Sequence, residues 1–123
     1  MTFSYRSLVD EVLRELRRVG GINASAAVTR DGLLIASDVS ANIDAETFAA
    51  MTATMTGAAE TAMSEVKAGS AQRVIVEAES SRIVSIGAGP NALLVVFSTF
   101  EAPLGLILIK IGEASRKIAK ILE

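Results

Sequence analysis

The sequence predicts an α/β (α+β) fold: a single five-stranded antiparallel sheet sandwiched between helices, in the order α-β-β-α-β-β-β-α. Three observations predict it. Apolar residues recur at helical spacing near both ends and along one central run. Five short segments of strand character fall between those helices. Tight-turn signals link the strands as one pair and one triplet, and hairpin links make neighbouring strands antiparallel. A chain of 123 residues suits one domain, taken as residues 1–123.

The first helix is expected from about Ser4 to Val19, with Leu8, Val9, Val12, Leu13, Leu16 and Val19 on one face. Arg17 and Arg18 in its last turn complement the helix dipole, and Gly20-Gly21 ends it. Residues 22–29 alternate as a strand, Arg30-Asp31-Gly32 supplies a turn, and Leu33 to Ser37 return. Asp44 is the expected N-cap of a second helix running to about Lys67. That helix is unusual: from Thr47 to Ala59 it carries no charge. Phe48, Met51, Met55, Ala59, Ala62 and Val66 make one apolar stripe, and Ala50, Ala53, Thr54, Gly57, Thr61 and Ser64 a second stripe of small residues. A surface helix has one buried and one charged face; here two faces are expected to be covered.

Arg73 to Ala78, Arg82 to Ala88 and Ala92 to Ser98 read as three strands joined by turns, the last apolar on both faces as a central strand would be. Pro103 precedes a closing helix to Leu122, although LGLILIKIG at its start also has strand character.

Composition removes whole classes of function. There is no cysteine and no histidine, so disulfides, thiolate chemistry and the commonest general base and metal ligand are absent together. A net charge of -2 is no nucleic-acid footprint. The N-terminal residues are charged and amphipathic rather than signal-like, and the apolar runs are too short for a membrane span, so a cytoplasmic location is expected. Mean hydropathy is nonetheless +0.44. So much apolar surface is hard to hide in one small domain, which points to a face buried against another chain.

With its elements in place, the chain resembles the Roadblock/dynein light chain family. The helix ending in GGI, the AAVTRDGLLIAS hairpin, the small-residue helix, the three-strand meander and the closing PLGLILIKIGEASRKIAKIL helix carry the resemblance. Longin and profilin folds share the sheet-and-helix layout. The resemblance implies sheet order 2-1-5-4-3, with helix 2 on one face and helices 1 and 3 on the other. It further implies dimers joined through helix 2 and strand 3, and roles as dynein-associated chains, scaffolds or regulators of small GTPases. The MglB-type bacterial polarity regulators are the prokaryotic example. On those elements the expected interface residues are Ala50, Ala53, Thr54, Gly57 and Thr61 of helix 2 and Val74, Ile75 and Val76 of strand 3. An unpaired Val-Ile-Val strand without proline would be an aggregation hazard that pairing with a second copy removes.

The motifs that could carry chemistry have plainer readings. Gly87-Ala88-Gly89-Pro90-Asn91-Ala92 fits G-x-G-x-x-A, but a strand follows where a dinucleotide site needs a helix, so a hairpin turn is expected. Ser64-Glu65-Val66-Lys67 fits S-x-x-K at a helix end without the companion motifs of a serine nucleophile. No Walker A loop is present. Arg6, Arg14, Arg17, Arg18, Lys110, Arg116, Lys117 and Lys120 are eight of the twelve basic residues, and they read as solvated faces of helices 1 and 3. Helix 2 has an acidic rim, with Glu46 and Glu60 as the residues expected to meet a partner. The expectation is therefore a non-enzymatic homodimeric adaptor or regulator without a cofactor, binding a small Ras-like GTPase or related protein. The alternative is a sensor domain with a small molecule between sheet and helix, which would require a roomy apolar cavity.

Overall fold

A computed structural model describes residues 4–123. Helix α1 spans Tyr5–Arg17; the Ser4 side chain caps it by accepting from the Ser7 N–H at 3.1 Å. Val9, Val12, Leu13 and Leu16 are its buried face. The chain then turns into β1 (Ile22–Thr29) through Gly21, whose φ of +94° is open to glycine. The turn is also crowded, because a Cβ on Gly21 would collide with the Ala102 methyl. The remaining elements are β2 (Leu34–Asp38), α2 (Ala45–Glu65), β3 (Arg73–Glu77), β4 (Ser81–Gly87), β5 (Ala92–Thr99) and α3 (Leu104–Ile121).

All five strands form one antiparallel sheet in the order β2-β1-β5-β4-β3. Two core clusters lie on its opposite faces. The larger joins Val9, Leu13 and Leu16 of α1 with Ile107, Ile111 and Ile118 of α3 over Ala27, Val84, Leu94 and Val96. The smaller lies under α2: Ala49 and Ala53 on Ala26, Val28, Leu93 and Val95. β1 therefore has both faces covered, and only Asn23 in it is exposed, where simple alternation suggested one solvated face. Its alanines let α2 lie close. A Cβ on Gly32 would sit 3.3 Å from Ala50 Cα.

Most boundaries fall within two residues of the sequence expectation. The first return-strand residue moves to Leu34, because the turn is longer than a two-residue hairpin: Thr29 accepts from both Gly32 and Leu33, through its carbonyl and its hydroxyl. Residues 104–109 are helical rather than extended, since Ile107 is buried while Leu106 and Ile109 stay exposed, a period of a helix and not of a strand. α2 stops at Glu65, short of Lys67, which takes a left-handed φ of 55°.

At Gly21 the collision and the φ act together, so Gly21→Ala is expected to cost roughly 2–4 kcal/mol. The readout is a lower urea midpoint at unchanged slope. Gly105→Ala, where an added Cβ meets nothing within 4 Å, is the control and leaves the midpoint the same or higher.

Candidate protein-interaction surface

α2 begins where Asp44 accepts from the Glu46 and Thr47 N–H groups at 3.1 and 3.2 Å and from the Thr47 hydroxyl at 3.0 Å. Its phase on the sheet is set by four small residues, Ala49, Thr52, Ala53 and Thr56, all buried. Thr56 reaches the sheet itself, sharing a 2.8 Å hydrogen bond with Ser85 of β4. The opposite side follows from the helical repeat. Thr47, Met51, Thr54, Ala58 and Thr61 recur at intervals of three and four and are exposed. None is charged. The hydroxyl of Thr54 is engaged by its own helix, donating to Ala50 O at 2.8 Å, which makes this face more apolar than its composition suggests. Met51 is 59% exposed. A 21-residue helix thus presents an outward stripe with the spacing of a helix–helix seam, exposed among the described residues.

β3 lies beside the C-terminal half of α2 and ends the sheet, bonded to β4 alone. Val74 and Val76 pair with Ser85 and Ile83 on the α2 face, while Ile75 pairs with Val84 and packs into the larger core. Val76 is 42% exposed. A shallow groove lined by Ala59, Met63, Ala71 and Val74 runs between helix and strand, so stripe and edge form one continuous surface.

The structure sorts the residues expected from sequence. Thr54, Gly57 and Thr61 are exposed, and a Cβ on Gly57 would meet nothing within 4 Å. Ala50 is half-buried against the β1–β2 turn. Ala53 must be corrected: it faces the sheet, and its place on the outward surface is taken by Met51 and Ala58. Small residues line both sides of α2, and Ala53 belongs to the sheet-facing set with Ala49, Thr52 and Thr56. Of the two rim carboxylates, Glu46 is exposed, and Glu60, its side chain 43% exposed, forms a surface ion pair with Arg30 at 2.9 Å.

The arginines have distinct settings. Arg82 is 6% exposed, donating to Phe100 O and Ala102 O, stacked on the Phe100 ring and 3.6 Å from Glu77. It fixes the corner before α3. Arg30 is tied to Glu60 and to Gly89 O. Arg73 on the edge strand is exposed and makes no ion pair among the described residues. On the opposite face Arg17 grips Asp38, Lys117 meets Glu15 and Lys110 meets Glu113, the pattern of solvated helix surfaces.

A largely apolar groove of about 770 Å³ opens between the C-terminal part of α2 and β3, whereas the interior under the centre of the helix is filled. Ala26, Val28, Ala49, Ala53, Leu93 and Val95 close the centre, and the cavity at the end of α2, about 310 Å³, is rimmed by Arg30, Glu60 and Gln72. Gly87–Ala92 is a turn in which Ala88 N donates to Ala92 O at 2.9 Å, and β5 follows it. No group of three metal-capable side chains occurs among the described residues, and no helix there is long and apolar enough to cross a membrane.

Comparison with known proteins gives a consistent set of relatives. The Roadblock/LC7 domain family model matches residues 8–98. A protein of Methanocaldococcus jannaschii is 38% identical over 112 residues, covering 91% of this chain and 94% of its own length. The structure of Myxococcus xanthus MglB superposes with a TM-score of 0.90 at 23% identity, covering 99% of this chain and 92% of that one. A Roadblock/LC7 domain from Streptomyces avermitilis superposes at 0.86 with 20% identity over 92% of this chain and 96% of its own.

The Asp44 cap has a testable consequence. The Thr47 N–H, and after it the Thr47 hydroxyl, hold its carboxyl below the usual carboxylate value. A depressed folded-state pKa stabilises above the unfolded value and ceases to do so as pH falls through the folded one. Amide protection in the first turn of α2 is therefore expected to fall on acidification below about pH 4. Asp44→Asn, which keeps a capping oxygen, is expected to flatten that response.

Proposed function

The chain belongs to the Roadblock/LC7 domain family, and on that premise we propose that it is a non-enzymatic homodimer, an adaptor or regulator that binds a small Ras-like GTPase or a related protein in the cytoplasm. One observation carries the dimer. The uncharged outward stripe of α2 adjoins an open, apolar sheet edge, and a second copy of the chain offers a matching stripe and a matching edge that can cover both at once. A two-fold arrangement satisfies this, because a symmetric interface sets each patch against its own copy. Helix α2 then meets its mate through Met51, Thr54, Ala58 and Thr61, flanked by Ala50 and Gly57, while Val74, Ile75 and Val76 lie on the strand that pairs. The absence of charge in the seam fits the core of an obligate interface.

The partner rests on the family and on the fold shared with MglB, an analogy of architecture rather than of a site. Its docking face is the acidic rim of the paired α2 helices, where Glu46 is exposed. The filled, alanine-rich interior under the centre of α2 favours protein binding over a small molecule held between helix and sheet.

Sedimentation at micromolar concentration is expected to give twice the monomer mass. Thr54→Arg places an unpartnered cation in the seam, costing several kcal/mol, and is expected to yield a folded monomer. A wild-type monomer, or a Thr54→Arg dimer, refutes the seam. Affinity capture from the native cell followed by rate measurements tests the partner. Glu46→Lys is expected to slow association with the captured GTPase and change its salt dependence, whereas Arg14→Ala and Arg116→Ala, on the opposite face, leave the rate unchanged. Glu60→Lys is a poor probe because it also breaks the Arg30 pair.

A further inference from the structure

The sequence of β3 is Arg73-Val74-Ile75-Val76-Glu77, a strand whose two ends carry opposite charges about a central isoleucine. Resting on the dimer reading above, we propose that a second copy of this chain adds to β3 in antiparallel register with the two-fold axis at Ile75, so that Arg73 of each protomer faces Glu77 of its partner and these two ion pairs choose both register and partner.

The backbone sets the phase. Ala78 N donates to Ser81 O at 2.8 Å across the β3–β4 hairpin, and the register continues through Val76↔Ile83 and Val74↔Ser85. In an antiparallel ladder hydrogen-bonded pairs alternate with unbonded ones. Ala78, Val76 and Val74 therefore turn their N–H and C=O groups toward β4, and Arg73, Ile75 and Glu77 turn theirs toward the open edge. With the axis at Ile75 those three residues meet Glu77, Ile75 and Arg73 of the partner, so every outward backbone group on the strand finds a bond.

The faces also match. Side chains on one side of a sheet recur every second residue. The axis at Ile75 sets Val74 against Val76 of the partner on the α2 face, and Ile75 against Ile75 of the partner on the other. Moving the axis by one residue, to Val74 or to Val76, keeps the faces but sets a charged residue opposite Ile75 and shortens the ladder. The central register alone matches charge with charge and valine with valine. Both ions are available for it. Arg73 is exposed and makes no ion pair among the described residues, and the Glu77 side chain is 52% exposed with a single 3.6 Å contact to Arg82. Directly opposed residues in such a pair have Cβ atoms about 4.5–5.5 Å apart, within reach of each other's charge.

Charge exchange tests this in the intact protein by measuring dimer dissociation in a dilution series. Arg73→Glu sets two carboxylates opposite each other at both ends of the ladder, and Glu77→Arg sets two guanidinium groups there. Each is expected to raise the dissociation constant about tenfold or more. The double variant Arg73→Glu/Glu77→Arg, and an equimolar mixture of the two single variants, recreate complementary pairs and are expected to return close to wild type, the mixture as a heterodimer. Should Glu77→Arg disturb Arg82, adding Glu77→Gln to Arg73→Glu removes only the repulsion and recovers part of the loss. Unchanged dissociation of Arg73→Glu, or no recovery in the mixture, double variant and Glu77→Gln arm, overturns the register while a Thr54→Arg monomer keeps the dimer. A monomeric wild-type protein overturns both.

Discussion

A long helix lies on this sheet through side chains hardly larger than a methyl group. Ala49 and Ala53 rest on Ala26, Val28 and Leu93, and Gly32 leaves room for the backbone of Ala50. Small contacts bring helix and sheet close and fix the rotation of α2, because only one narrow side of the helix can approach that far. They also bury little apolar area per residue, at about 25 cal/mol per Å². The α2 face holds the smaller core cluster, with Phe48 of α2 packed against it, and the α1–α3 face the larger, which buries whole leucines and isoleucines.

From that rotation the rest of the surface follows. With Ala49, Thr52, Ala53 and Thr56 turned to the sheet, Met51, Thr54, Ala58 and Thr61 must face away, and β3 comes to lie along the flank of α2 as an uncovered edge. Isolated domains protect such edges with charge, proline or a covering helix. β2, the other edge, has α1 beside it and Arg17 clasping Asp38. Among the described residues β3 has no such clasp, and its charged residues stand only at its ends. The two edges of one sheet thus differ, β2 flanked and clasped and β3 bonded to β4 alone.

Nearly all of the architecture was legible in the sequence, since element order rests on periods of two and of 3.6 and on turn chemistry, which are local. The resemblance supplied the strand order, which local patterns do not determine. The phase of α2 was the main thing that could not be read. An Ala- and Thr-rich helix offers almost no contrast in hydropathy from one side to the other, so Ala53 looked as suited to the outside as Ala58 does. What decides is a non-local fact, the fit of Thr56 to Ser85 and of Ala50 to Gly32. Likewise the pairing of Glu60 with Arg30 spans α2 and the end of β1, and no spacing within either segment announces it. The charge symmetry of β3 was visible in five letters, but acquired meaning once the hairpin fixed which backbone groups turn outward.

Whether β3 is a joined strand or a free edge is read directly by amide hydrogen exchange. At concentrations well above dimer dissociation, the N–H groups of Arg73, Ile75 and Glu77 are predicted to exchange slowly, and on dilution to become fast while Val74 and Val76, bonded to β4, stay protected. Fast exchange of the three at every concentration, with Val74 and Val76 protected throughout, would contradict the account.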